Sequence, residues 1–124
     1  MSRRRPPLQA LAPALLALAC ACGPEAVPSR TGGDPERGRA LIAGYACGAC
    51  HHIPGVRGAR GVVGPPLDRF ALRAYIGGRA PNTPENLVRW VQDPSALAPG
   101  TAMPAVGLDE QQARDVAAYL YQLR

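Results

Sequence analysis

The stretch that decides the fold is YACGACHHIPG, residues 45–55, in which Cys47 and Cys50 stand three apart and His51 follows at once. Four chemistries use such a pair. A zinc site needs four ligands. Cys47, Cys50 and His51 supply three, His52 is adjacent and faces away, and no second cysteine pair follows. A redox dithiol belongs at the start of a helix in a βαβ unit, and no segment here alternates with period two. A bare disulfide across two residues closes too small a loop to stabilise much, and it leaves His51 without a role. Covalent haem attachment uses all three residues, because C-x-x-C-H is the c-type pattern. One turn of chain sets two sulfurs over the vinyl groups on one porphyrin edge, and the next imidazole then lies under the iron.

Such a thioether has to form outside the cytoplasm, and the N-terminus agrees. Met1 to Arg5 is basic, and Leu8 to Cys22 is apolar and uncharged. That run is shorter than the roughly 18 residues a membrane span needs and is broken by Pro13, so residues 1–21 read as a secretory signal. ALAC ending at Cys20 and ACAC ending at Cys22 both resemble a bacterial lipoprotein box, while ACA at 19–21 also fits an ordinary signal peptidase. Acylation of Cys22 leaves the 47/50 pair with no stray thiol in an oxidising compartment. The expectation is an exported, periplasmic protein whose contact with membrane runs through a lipid on Cys22 or Cys20. Loss of Arg3, Arg4 and Arg5 leaves eleven arginines against nine acids, near +2, with no lysine anywhere. No basic stripe with interleaved aromatics is present, which argues against nucleic acid.

Residues 22–33 are Pro/Gly/Ser-rich and read as a flexible linker; residues 34–124 form the one domain. Asp34-Pro35 starts a helix over 35–46. Four glycines and three prolines between 54 and 66 mark a loop. Leu67, Phe70, Ala71 and Ala74 suggest a short helix stopped at Gly77-Gly78. Thr83-Pro84-Glu85 begins another, which ends before Pro94. A strap follows over 95–107. Asp109 and Gln112 then form a capping box with Leu108 as a staple, opening a last helix over 110–123. The fold class is all-α, with three to four short helices. With one Trp and one Phe the domain is short of core, so an apolar cofactor is expected at its centre. Once Met1 is lost, Met103 is the remaining methionine, held in the Pro-flanked PGTAMP; it reads as the second axial ligand, against the commoner reading of a core filler.

From Asp34 to Arg124 the chain resembles class I cytochromes c. GPPL at 64–67 matches the family's G-P-x-L, and Asp93-Pro94 and PGTAM at 99–103 also match. The resemblance implies one haem c, covalent through Cys47 and Cys50, with iron held by His51 and Met103. It implies that the Pro65 carbonyl accepts from His51 Nδ1, that Leu67 packs on the haem and that Arg73 approaches a propionate. It also places Trp90 beside the methionine and Thr101 on a propionate. Trp90 as plain core, Arg73 as a solvated arginine and Thr101 as a turn residue stay open beside these. Tyr119 matches the aromatic that packs across the first helix, explaining a small Gly38, although Gly38 lies one residue earlier than the family's usual glycine. NTPENLVRWVQDPSALAPGTAMP is similar to the haem domain fused to subunit II of some haem–copper oxidases.

With both axial positions filled, the implied function is one-electron carriage between respiratory components rather than enzyme catalysis. The partners implied are redox proteins such as an oxidase copper domain or a quinol-oxidising complex. An electron-accepting haem subunit of a dehydrogenase complex and a ligand-binding haem sensor are the alternatives. Six arginines from Arg57 to Arg89 face Asp68 and Glu85, whereas from Trp90 onward two arginines face four acids. That asymmetry either steers docking to an acidic partner or is ordinary solvated surface.

Overall fold

The computed structural model describes residues 29–124. The expected signal over 1–21, the acylation candidates Cys20 and Cys22, and the first part of the linker lie outside the described residues.

Four α-helices carry the domain. In α1, Pro35–Gly44, the Asp34 carboxylate accepts from the amides of Glu36 (2.8 Å) and Arg37 (3.0 Å), satisfying donors that the first turn leaves open. The helix stops two residues short of the expected 46: Tyr45 caps it, and Ala46 turns the chain with a positive φ of 55°. α2, Pro84–Gln92, is capped by the Thr83 hydroxyl, which accepts from the Asn86 amide at 3.3 Å. α3, Pro94–Leu97, is a single turn that runs into the start of the expected strap, opened by the Asp93 carboxylate on the amides of Ser95 and Ala96. α4, Glu110–Leu120, has the expected capping box of Asp109 and Gln112, with Leu108 buried beside it. It ends at Leu120 rather than 123.

The helix expected from Leu67 to Ala74 is not there. Residues 70–72 make one 3-10 turn, and Tyr75–Ile76 (β1) pairs antiparallel with Ala80–Pro81 (β2), Tyr75 opposite Pro81 and Ile76 opposite Ala80. Arg69 before the turn has φ 53°, and Gly77 and Gly78 both have positive φ, so the backbone bends at each end where a helix would need to continue. A two-residue hairpin also corrects the expectation that no strand is present, and at this length no alternating pattern can announce it.

α1 and α2 both pack on α4, and α3 packs on α2. α1 crosses it where Gly38 lies on the main chain of Asp115 and Val116: a Cβ at Gly38 would fall inside van der Waals contact of the Asp115 carbonyl. α2 packs on α4 as well. Leu87, Val91, Ala113, Val116 and Leu120 lie between them in one buried cluster with Ile42.

Asp115 is 3 % exposed and ties the two helices electrostatically. Its carboxylate accepts from the Asp34 amide (2.7 Å), from Arg37 Nε (2.9 Å) and Nη2 (3.2 Å), and from Gln111 Nε2 (3.0 Å). The Arg37 guanidinium holds the carboxyl below the usual carboxylate range, with the Asp34 amide and Gln111 adding to it against burial.

Part of the compositional linker is also packed. Thr31 is 3 % exposed, its hydroxyl donates to the Arg114 carbonyl (2.8 Å), and Arg114 Nη1 donates back to the Thr31 carbonyl (2.9 Å). Gly33 lies against the Arg114 carbonyl.

Two outcomes follow for stability. Asp115→Asn loses about 1.5–3 kcal/mol at neutral pH in denaturant unfolding. Because the wild-type carboxyl is depressed in the fold, its contribution is complete above about pH 4 and is lost as pH falls through the folded value. The gap between wild type and variant therefore closes on acidification. Gly38→Ala costs about 3 kcal/mol through main-chain overlap, whereas Gly44→Ala, where a Cβ meets nothing within 4 Å, gains roughly 0.5–1 kcal/mol in the same assay.

Candidate functional site

α1 delivers the chain to Cys47 through the left-handed Ala46. Cys47–Ala49 then forms a 3-10 turn in which the amides of Cys50 and His51 both donate to the Cys47 carbonyl, at 3.2 and 3.0 Å. No disulfide joins the two cysteines. Cys47 is half-buried against the core, and burial pushes its thiol up, with Cys50 adding in the same direction. Cys50 is exposed.

The glycine-rich loop after this turn folds back along it, main chain on main chain. The Gly61 amide donates to the Gly48 carbonyl (3.0 Å), the Gly64 amide to Cys50 (2.8 Å), and the Leu67 amide to His52 (2.8 Å). Nothing larger than hydrogen fits at three of these positions. A Cβ on Gly48 would overlap Ala59, one on Gly61 would overlap the backbone of Ala49 and Cys50, and one on Gly64 would strike the His51 ring.

The loop then presents the Pro65 carbonyl to His51, whose Nδ1 lies 2.7 Å away. A carbonyl can only accept, so Nδ1 carries the hydrogen, and Nε2 is the ring nitrogen left to act as a ligand when the ring is neutral. The neighbouring His52 points elsewhere: it is exposed, and its Nδ1 lies 2.8 Å from Asp68 Oδ2. That hydrogen bond is the main cause holding the Asp68 carboxyl below its usual range.

The remaining sequence candidates have the following surroundings. Leu67 and Trp90 are half-buried and pack against the core cluster; the Trp90 ring rests on Gly77, whose φ of 55° suits glycine. Arg73 donates to the carbonyls of Pro66 and Asp68 and lies 5.4 Å over the Phe70 ring, which ties it to the GPPL segment. Met103 is half-buried, and its amide donates to Thr101 Oγ1 at 3.3 Å, so Thr101 shapes the turn that carries Met103.

Two supports were not visible in the sequence. Asn82 donates from Nδ2 to the carbonyls of Arg73 (2.9 Å) and Phe70 (3.2 Å), and its Oδ1 accepts from the Tyr121 hydroxyl (2.9 Å). It therefore fixes the Phe70–Arg73 turn to the C-terminal segment. Tyr119 is buried, and its hydroxyl donates to the Pro54 carbonyl at 2.6 Å while resting on Gly55. Its contact is thus with the loop after His51, whereas the nearest atoms to Gly38 are those of Asp115 and Val116. A sequence signal existed for the glycines (58, 61 and 64 recur every third residue) but none for Asn82, whose partners are distant in the chain.

The family model for Cytochrome c matches residues 35–124. The chain belongs to the cytochrome c family. A curated relative, cytochrome c oxidase subunit 2 of Alkalihalophilus pseudofirmus, is 34 % identical over 90 residues, covering 72 % of this chain and 25 % of the relative. The chain thus spans about a quarter of that relative's length. The fold is the all-α cytochrome c fold with a minimal hairpin added, and the cofactor is haem c with its iron, which places the chain among haem-based electron carriers. The donor set suits that cofactor. Two cysteines without a disulfide lie on one turn, the next imidazole has Nδ1 occupied by a carbonyl, and half-buried Leu67, Trp90 and Met103 offer apolar surface. Among the described residues no group of three or more His, Cys, Asp or Glu could hold a metal ion, and no helix is long and apolar enough to cross a membrane.

Gly64→Ala tests the glycine contact on His51. The added methyl forces the ring or the loop to move, and the thermal midpoint of the haem-loaded protein falls with a changed Soret position. Gly58→Ala, where φ is 80° but a Cβ meets nothing within 4 Å, costs only about 1 kcal/mol of backbone strain and leaves the spectrum unchanged.

Proposed function

We propose that this chain is an exported, periplasmic one-electron carrier. Cys47 and Cys50 hold a single haem c through thioethers, and His51 and Met103 ligate its iron. The observation that supports this most is the hydrogen bond from His51 Nδ1 to the Pro65 carbonyl, directly after the two thiols. It orients the ring and raises the donor strength of Nε2, as carbonyl partners do for metal-bound histidines.

When bound, haem c supplies a one-electron ferrous–ferric couple. Cys47 and Cys50 anchor it on the turn that α1 presents. Met103, on a turn closed by Thr101, supplies a thioether that favours ferrous iron and raises the potential above that of a bis-histidine site. Leu67 and Trp90, half-buried against the core, would supply apolar contacts that keep water from the haem. Arg73 and Thr101 are placed in this reading as hydrogen-bond donors to the propionates. With His51 imidazole and Met103 thioether both engaged, the iron would have no position for a substrate, which favours electron carriage over catalysis in this reading. Its partners are redox proteins of the respiratory chain, such as an oxidase copper domain or a quinol-oxidising complex. A lipid on Cys22 or Cys20 would tether it to the membrane.

The test is spectroscopic. The exported protein carries the mass of one covalent haem, and in the ferric state it shows the weak far-red band of a sulfur–iron bond. Met103→Ala abolishes that band, lowers the potential and admits cyanide or carbon monoxide rapidly. Colourless protein, or a band that survives the substitution, overturns the assignment.

A further inference from the structure

The side-chain amide of Asn82 lies where the turn before the hairpin meets the C-terminal segment. Its Nδ2 donates to the Arg73 carbonyl at 2.9 Å and to the Phe70 carbonyl at 3.2 Å. Carbonyls only accept, so the nitrogen end of the amide has to face them and Oδ1 has to face away. There the Tyr121 hydroxyl donates to Oδ1 at 2.9 Å. The Asn82 main-chain amide adds a bond to the same segment, at the Ala74 carbonyl (2.9 Å). Tyr121 is itself placed by packing: its ring meets that of Phe70 edge-on at 6.4 Å, and the Arg30 guanidinium lies 5.3 Å from its centroid. The amide is thus held at both ends.

What this clamp holds is the stem of Arg73. Residues 70–72 are one 3-10 turn entered through the left-handed Arg69, and so short a turn has little stability of its own. Asn82 fastens it from outside, together with the bond from the Ala71 amide to the Leu123 carbonyl (2.9 Å). Arg73 leaves the turn half-buried and lays its guanidinium on the carbonyls of Pro66 and Asp68. Among the described residues no carboxylate lies within 4.0 Å of it, so its charge is uncompensated by the chain. An uncompensated cation fixed beside a redox centre opposes the gain of positive charge there, and the effect falls with distance. The position of Arg73 therefore matters as much as its presence.

We propose that Asn82 is a positioning residue for electron carriage: by clamping the Phe70–Arg73 turn it keeps the Arg73 guanidinium at the haem edge and so raises the reduction potential. The proposal rests on the carrier reading above, in which Arg73 donates to a propionate. None of the groups that Asn82 bonds is an iron ligand in that reading, so it acts through Arg73. A neutral amide suits the task, since it fixes the backbone without adding a charge. Tyr121 completes the device by keeping the amide the right way round.

The experiment is a spectroelectrochemical titration of the haem-loaded full chain. Asn82→Ala and Arg73→Gln each lower the midpoint potential. The double variant lies no lower than Arg73→Gln alone, because the amide acts through the guanidinium. Asn82→Ala removes no charge, so its shift reports the charge it releases. Its Soret and far-red bands stay at wild-type positions, which separates the effect from a disturbed iron ligand. Thermal unfolding gives the contrast: Asn82→Ala lowers the thermal midpoint by a similar amount with Arg73 or with Arg73→Gln. Tyr121→Phe spares both carbonyl bonds and frees only Oδ1; it gives a smaller fall in potential, absent again beside Arg73→Gln. An Asn82→Ala protein with a lowered thermal midpoint and wild-type potential overturns the proposal, as does a shift that adds in full to that of Arg73→Gln. Where Asn82→Ala loads no haem, an unchanged potential in Tyr121→Phe overturns it. Arg73→Gln at wild-type potential overturns it as well, by removing Arg73 from the haem edge. Failure of the carrier reading looks different, since the wild-type protein would then lack the haem spectrum or its sulfur–iron band before any substitution is made.

Discussion

Residues 48–50 and 59–64 touch main chain to main chain, with glycines where any side chain would collide. The position of His51 depends on this contact. If the loop stood off by the width of a methyl group, Pro65 could not reach Nδ1, and the imidazole would keep its rotational freedom. The hydrogen bonds from Gly61 to Gly48 and from Gly64 to Cys50 make the approach specific, since a shift of one residue would break both and set a Cβ into the gap. Fixing a ring through a rigid support, and not through its own rotamer preference, is what holds a functional side chain in one geometry.

The helical frame sets where that turn sits. α1 reaches the C-x-x-C-H segment only after crossing α4 at Gly38, and the crossing is held by a carboxylate with four donors around it. Asp115 is effective because one of those donors is the amide of Asp34, at the very start of α1. The same interaction caps one helix and fastens it to the other. Its charge partner Arg37 is largely solvent-exposed, so the ion pair alone would be weak; the buried hydrogen bonds to the carboxylate carry more. Thr31 and Gly33 extend this seam N-terminally, and Asn82 and Tyr119 bind the site loops to the C-terminal segment. A domain with so few aromatic residues holds its loops by polar contacts to backbone as much as by burial.

Local chemistry was readable where it is local. Asp34-Pro35, Thr83-Pro84 and Asp109 with Gln112 marked three helix starts to the residue, because a cap and the amide it satisfies are at most three positions apart. The C-x-x-C-H turn was legible for the same reason, being five consecutive residues. Where the reading failed, the deciding partner was remote or the signal was too short. Leu67 to Ala74 has the spacing of a helix, yet Arg69 turns left-handed and Asn82 claims the carbonyls of Phe70 and Arg73. Ser29 to Gly33 has the composition of a linker, and the carbonyl of Arg114, over eighty residues away, makes it part of the packed body.

By itself the sequence determined the chemistry: two thiols and an imidazole on one turn, a Pro-flanked methionine, and capped helices to carry them. These follow from spacing along the chain, which needs no fold to be read. The tertiary structure alone decided which groups meet, setting Asp115 on Asp34 and Arg37, Gly64 under the His51 ring, Tyr119 on Pro54, and Val62 and Val63 out in solvent. Each of these is a contact between segments far apart in the chain, and the free energy of such contacts depends on how α1, α4 and the glycine loop close on one another.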